Sequence, residues 1–119
     1  MKAGRKATGG RYKKPKKKKL TERQNQSRTV KLDKKKTKLI RTRGGEKKLI
    51  QFTNEVANVN SKGKAKKTKI KNVLETPSNT FLARQNILVK GAIIETELGK
   101  ARITNRPSQE GNIQAVIIE

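Results

Sequence analysis

The chain contains no cysteine, no histidine and no tryptophan. Without cysteine there is no disulfide framework and no thiolate metal site, a composition that suits a reducing compartment. Without histidine as well, the ordinary zinc ligands, the Ser-His and Cys-His nucleophile pairs and the usual general base near neutral pH are all missing. Aromatic residues are 3% of the chain, namely Tyr12, Phe52 and Phe81. Binders of single-stranded nucleic acid that stack bases need an aromatic platform, which one Tyr in a basic arm and two Phe expected in the core do not make. No apolar run is long enough for a signal peptide or a membrane span, so the chain reads as soluble and intracellular. A basic amphipathic membrane helix is the alternative, but Gly9, Gly10 and Pro15 interrupt any helical face there.

Acidic residues are also few. Against 9 Asp or Glu stand 32 Lys or Arg, a formal net charge of +23 on 119 residues. Such an excess opposes compaction unless an anion neutralises it. It is unevenly spread, with 21 basic and 3 acidic residues before position 49 and 11 and 6 after it. Large apolar residues become frequent only from Val30 onward. This predicts two parts, a basic extension over residues 1–28 and a folded domain over residues 29–119.

The extension opens with a glycine-rich basic turn around Gly4, Gly9 and Gly10, flanked by Arg5, Lys6 and Arg11, in which the glycines allow φ > 0 and a close backbone approach. Lys13, Lys14, Lys16, Lys17, Lys18 and Lys19 follow, broken only by Pro15, and Arg28 ends the segment. Mutual repulsion and the lack of apolar residues predict intrinsic disorder in isolation. Such a block is either a solvated tail or an arm that folds against nucleic-acid phosphates, and the net charge favours the arm. Thr21 to Arg28 could add one helical turn, with Thr21 as cap and Gln24 completing a weak capping box.

Beyond it the sequence is mainly β. Thr29–Leu32 alternates like a short strand. Residues 37–43 and 47–53 form a hairpin signal around Gly44 and Gly45, both free to adopt φ > 0. Glu55–Val59 reads as a continuation of the second of these strands past a bend. Asn60–Gly63 is a turn, and Lys64 onward a strand with one wet, basic face, on which Ile70, Asn72 and Leu74 alternate with Lys69, Lys71 and Val73. Thr76–Asn79 stops it. Thr80–Gln85 is a short helix capped by Asn79 or Thr80, with Phe81 and Leu82 inward. Short strands at 87–89, 92–94, 101–104 and 113–118, set apart by Gly91, Gly99 and Asn105–Gly111, suggest a small sandwich or barrel. Ala115–Ile118 lacks polar alternation and predicts a central or barrel-closing strand covered on both faces. Glu95 and Glu97 share a strand face without a partner that would make them catalytic, so a solvated face explains them. No GxGxxG or GxxxxGK[ST] cradle is present. On the structured elements Arg41, Arg43, Arg84, Arg102 and Arg106 are better phosphate ligands than the lysines, because the guanidinium fork binds bidentately.

Four stretches carry a family likeness. They are Gly4-Arg5-Lys6-x-Thr8-Gly9-Gly10-Arg11; Thr76-Pro77-Ser78-Asn79 followed by Ala83-Arg84-Gln85-Asn86-Ile87; Lys90-Gly91-Ala92-Ile93-Ile94-Glu95-Thr96; and Arg106-Pro107-Ser108-Gln109-Glu110-Gly111 with Gln114-Ala115-Val116-Ile117-Ile118-Glu119. In this order and spacing the chain resembles the small-subunit ribosomal protein number eight family of archaea and eukaryotes (S-eight-e), in the short form without the eukaryotic insertion. Ser108, where many members carry glycine, and Gln85, where a second basic residue is common, depart from its pattern. The resemblance implies a small β-barrel-like domain with a long basic N-terminal extension. It also implies binding to small-subunit ribosomal RNA beside neighbouring ribosomal proteins, in the cytoplasm on the ribosome, with no cofactor, metal, membrane or small-molecule substrate and no catalysis. The RNA-binding candidates are then Arg5, Lys6, Gly9, Gly10, Arg11, Lys13, Lys14, Lys16 to Lys19, Arg28, Arg41, Arg43, Arg84 and Arg106. A ribosome-assembly factor with a similar domain, or a general nucleic-acid-binding protein, is the alternative. A nucleoid protein would be expected to dimerise or present a helix to the major groove, which nothing in the sequence suggests.

Overall fold

The computed structural model describes residues 4–13, 16–24 and 27–118. Its strands are β1 (Lys36–Arg41), β2 (Lys47–Thr53), β3 (Val56–Ser61), β4 (Lys64–Glu75), β5 (Ile93–Thr96), β6 (Gly99–Ile103) and β7 (Gln114–Ile117), with short helices α1 (Thr80–Arg84) and α2 (Pro107–Glu110). β1 and β2 form a two-stranded hairpin, while β3 to β7 close a five-stranded barrel. Mainly β with a barrel is therefore the observed class.

In the hairpin, Leu39 faces Leu49 and Ile40 faces Lys48. Its turn is closed by Thr42 N–H donating to the Glu46 carbonyl at 2.7 Å. Of the two glycines there, Gly45 takes φ 90° and Gly44 stays in the ordinary region. Residues 55–59 do not prolong β2. The chain bends at Asn54, whose side chain accepts from Val56 N–H at 3.1 Å, and starts the barrel instead.

Lys62 and Gly63, at φ 46° and 80°, join β3 to β4 in a two-residue turn whose twist matches the flanking strands. Along β4 the inward side chains are Thr68, Ile70 and then Val73, because the pairing with β5 slips between Ile70 and Asn72. That irregularity reverses the predicted facing: Val73 is buried and Leu74 is 42% exposed. Bulged registers of this kind bend a strand and help a short sheet to close.

β7 completes the barrel by pairing antiparallel with β6 and parallel with β3, where Val59 meets Ala115. Closure was legible; coverage of both faces was not. Val116 and Ile118 are 45% and 40% exposed, because the outer surface of this barrel has no second layer over them. The expected strands at 29–32 and 87–89 shrink to isolated bridges of Lys31 with Thr53 and Ile87. Leu88 N–H donates to the Val30 carbonyl at 2.7 Å, and Lys31 N–H to the Phe52 carbonyl at 3.0 Å, which ties the hairpin to the barrel.

The core joins Ala57, Val59, Ile70, Val73, Ile94, Ala101, Ile103 and Ala115 from the strands to Val30, Leu88, Ala92 and Ile113 from the loops. Small side chains let five strands close around it. No aromatic belongs to this core. Asn79 caps α1 as expected, its side chain accepting from Phe81 N–H at 3.0 Å, but Phe81 is 65% exposed, not inward. A five-residue helix presents little face, and the Phe81 ring lies 5.9 Å from the Arg84 guanidinium instead.

Gln51 on β2 is fully buried, and among the described residues neither its amide nitrogen nor its oxygen has a hydrogen-bond partner. Burying an unpaired amide costs about 1–3 kcal/mol. Gln51→Met, of similar length without the amide, is therefore expected to stabilise the protein by roughly 1 kcal/mol. Urea unfolding checks this as a higher midpoint at unchanged slope. A lowered midpoint means that the amide is hydrogen-bonded in solution.

The N-terminal arm does not pack on the barrel. The radius of gyration is 21.3 Å and the long axis 70 Å, against about 14 Å for the radius of a compact chain of this length. The arm is nevertheless not featureless. Arg5 and Arg11 bridge antiparallel, Lys6 N–H donates to the Gly10 carbonyl at 2.8 Å, and Gly9 N–H to the Lys6 carbonyl at 2.9 Å. Gly9 turns the loop at φ 80°, whereas Gly10 needs no positive φ. A 3-10 turn covers Leu20–Glu22 with Lys19 at the cap position, two residues before the predicted Thr21. The Glu22 carboxylate takes the role given to Gln24, accepting from Lys19 N–H and the Lys16 ammonium at 3.2 Å each.

Candidate functional site

Charge and core are held apart. All basic residues described in the arm, Arg5, Lys6, Arg11, Lys13, Lys16 to Lys19, Arg23 and Arg28, are exposed. Lys14 lies outside the described residues. Among the described residues Lys16–Glu22 is the one ion pair, so the arm's cations are almost wholly unneutralised. The Lys6 ammonium stands 5.8 Å over the Tyr12 ring, a contact that leaves its protons free for another acceptor.

The folded part adds three further basic regions. At the hairpin end Arg41 pairs in register with Lys47, and Arg43 follows at the turn. Gly45 lies so close to Arg41 that a Cβ there would sit 3.9 Å from its guanidinium. Along β4, Lys67 and Lys69 point outward opposite Asn58 and Val56, with Lys71 beyond. Successive outward residues of a strand are about 6.6–6.8 Å apart, a spacing suited to following an extended anionic backbone. Lys64 and Lys66 are in the inward phase but reach past the barrel rim, where they border a cleft with Ser61, Leu98 and Ile117.

The third region lies between the arm and the hairpin. Ser27 and Arg28, where the arm meets the domain, border a cleft of about 400 Å³ with Ile40, Thr42, Lys48, Ile50 and Gln109. α2 supplies Gln109 because Pro107 starts that helix and Gly111, at φ 69°, ends it. A Cβ on Gly111 would come within 2.6 Å of Leu49, so β2 and α2 are closely apposed. Lys48 is half-buried and its ammonium donates to the Gln109 side-chain oxygen.

The arginines predicted from sequence are thus dispersed. Arg28 borders the cleft, Arg41 and Arg43 lie at the hairpin end, and Arg106 is exposed just before α2. Arg84 stands apart on α1, in a shallow pocket with Asn72 and Asn86. Arg102 points outward from β6 between Val116 and Ile93. Sequence reasoning passed over Lys48 and the rim lysines Lys64 and Lys66. Lys48 reads as one more strand lysine, and only the packing of α2 on β2 gives it a partner. Among the described residues no three acidic groups come together to hold a metal ion, and no helix is long and apolar enough to cross a membrane.

The family described as Ribosomal protein S8e matches residues 1–118. Among curated proteins the chain is 45% identical to the small ribosomal subunit protein eS8 of Methanocorpusculum labreanum, over 99% of this chain and 96% of that one. It is 44% identical to the eS8 protein of Methanococcus aeolicus, over 96% and 91%, and 39% identical to that of Halorubrum lacusprofundi, over 97% and 94%. With likeness running through the arm as well as the barrel, the chain belongs to the ribosomal protein S8e family.

Proposed function

We propose that the chain is a structural constituent of the small ribosomal subunit, not an enzyme, and that it binds ribosomal RNA through its arm and the basic surface of its β domain. On this reading it works in the cytoplasm, on the ribosome, beside other ribosomal proteins. The observation that carries it is the separation of an exposed, unneutralised arm from a barrel that keeps its own core, within a family whose likeness covers both. An arm of this charge binds by releasing counterions from phosphates, and the glycine-turned loop lets its backbone lie against folded RNA. We set the division at residues 1–28 and 29–119, since Val30 is the first buried residue of the core. Arg5, Lys6, Gly9, Gly10, Arg11, Lys13, Lys14, Lys16 to Lys19 and Arg28 would be the arm's contacts, and Arg41, Arg43, Arg84 and Arg106 those of the domain.

Sedimentation of the tagged full chain from its native lysate tests this. The expected result is co-sedimentation with mature small subunits at moderate salt and release as salt rises. Recovery with immature particles alone supports an assembly factor instead, and recovery with DNA a general nucleic-acid binder.

A further inference from the structure

The cleft at the root of the arm has a composition that phosphate binding alone does not explain. Its floor is aliphatic, from Ile50, which is 1% exposed, and the half-buried Ile40. Its walls carry two cations, Arg28 and Lys48, and the Gln109 amide. Among the described residues no carboxylate lines it. Glu110, next to Gln109, is engaged elsewhere, accepting from the Asn105 amide at 2.9 Å. Lys48 is therefore a half-buried ammonium whose described partner is a neutral amide, an arrangement that gains from a nearby anion. Apolar floor, convergent polar groups and cations at the lip are what a nucleotide needs, with the base inside and the phosphate outside.

We propose that this cleft receives one unstacked nucleotide of the RNA that the arm follows, a proposal that rests on the RNA-binding reading above. A volume of about 400 Å³ accommodates a base and its sugar, and Ile40, with the buried Ile50 beneath it, takes the place of the aromatic platform that the chain lacks. The hydrogen-bonding groups indicate which bases fit. Lys48 can only donate, which fixes the Gln109 oxygen toward it and leaves the Gln109 NH₂ directed at a ligand. Arg28 also only donates, and the Ser27 hydroxyl can donate as well. The Thr42 hydroxyl gives its proton to the Glu46 carbonyl at 3.1 Å. Donors that meet the exocyclic edge of a base select uracil or guanine, whose O4 or O6 accepts there, over adenine or cytosine, whose amino group donates.

Three hairpin RNAs of one length test this with the full chain at fixed salt: an uninterrupted stem, a stem with a single bulged uridine, and one with a single bulged adenosine. The parent is expected to bind the bulged-uridine stem about tenfold more tightly than the uninterrupted one, the adenosine bulge falling between. Gln109→Ala should abolish that ratio. Ile40→Arg provides a second readout that does not depend on α2. It fills the cleft and adds a charge, so affinity for the uninterrupted stem should rise while the preference disappears. Melting curves confirm that both variants fold. Equal binding of all three stems by the parent overturns the cleft and leaves RNA binding standing, as does a uridine preference that survives both variants. Failure to bind any stem refutes the RNA-binding reading itself.

Discussion

Deleting residues 1–20 should flatten the dependence of RNA affinity on salt by roughly 3 to 4 units of slope, while the β domain still melts cooperatively. The deleted piece holds ten basic residues. If about half of them meet phosphates, each removes roughly 0.7 from the slope of log K against log salt on single-stranded RNA. Structure and charge agree on the outcome. The described arm residues are all exposed and contribute nothing to the barrel core, so stability has no reason to fall. The truncated protein should retain weak, shallower binding through the hairpin, β4 and the cleft cations. Filter binding over a series of salt concentrations measures this. A truncated protein with the parent's full slope would show that the arm does not touch RNA.

Within the arm, charge and shape separate at Gly9. Its φ of 80° is one that a β-branched residue resists, whereas Gly10 is in an ordinary conformation with only Thr8 near. Any loss of particle incorporation on replacing the pair by Val thus belongs mainly to Gly9. Lys6 and Gly10, which close the loop by a hydrogen bond, would lose their alignment with every charge still in place.

What the sequence disclosed follows from how local each determinant is. The hairpin turn at Gly45, the cap at Asn79 and the strand–turn rhythm after Gly91 depend on neighbours within a few residues, and they were readable. The facing of β4 was not, because a register slip between Ile70 and Asn72 depends on its pairing with β5. Phe81 was misplaced for a related reason: its hydrophobicity argues for burial, but α1 is too short to turn it inward. The cleft was invisible, since Arg28, Lys48 and Gln109 come from three separate segments and meet only when α2 packs on β2. The arm's charge, by contrast, depends on no packing at all and is read from composition directly.

The final strand supplies the sharpest test of the barrel, because inward and outward positions alternate along it and along its partner β6. Ile103, 1% exposed, sits opposite Ala115 and exchanges hydrogen bonds with the loop before β5: its N–H donates to the Ala92 carbonyl at 2.9 Å and its carbonyl accepts from Gly91 N–H at 2.8 Å. Ile103→Asp removes an aliphatic side chain worth about 1.5–3 kcal/mol of burial and places an unpaired carboxylate among Val, Ile and Ala side chains. A domain of this size is stable by only about 5–10 kcal/mol, so the substitution should leave it largely unfolded at neutral pH. Val116→Asp is the control on the adjoining strand. At 45% exposure the carboxylate keeps its water, and the loss should stay near 1 kcal/mol. Ile117, half-buried at the edge of the core, should give an intermediate loss as Ile117→Asp, smaller than a doubly covered strand would impose. Circular dichroism melts of the three variants decide the matter. If Val116→Asp unfolds the protein while Ile103→Asp does not, the inward and outward faces of β6 and β7 are exchanged and the barrel closes in a different register.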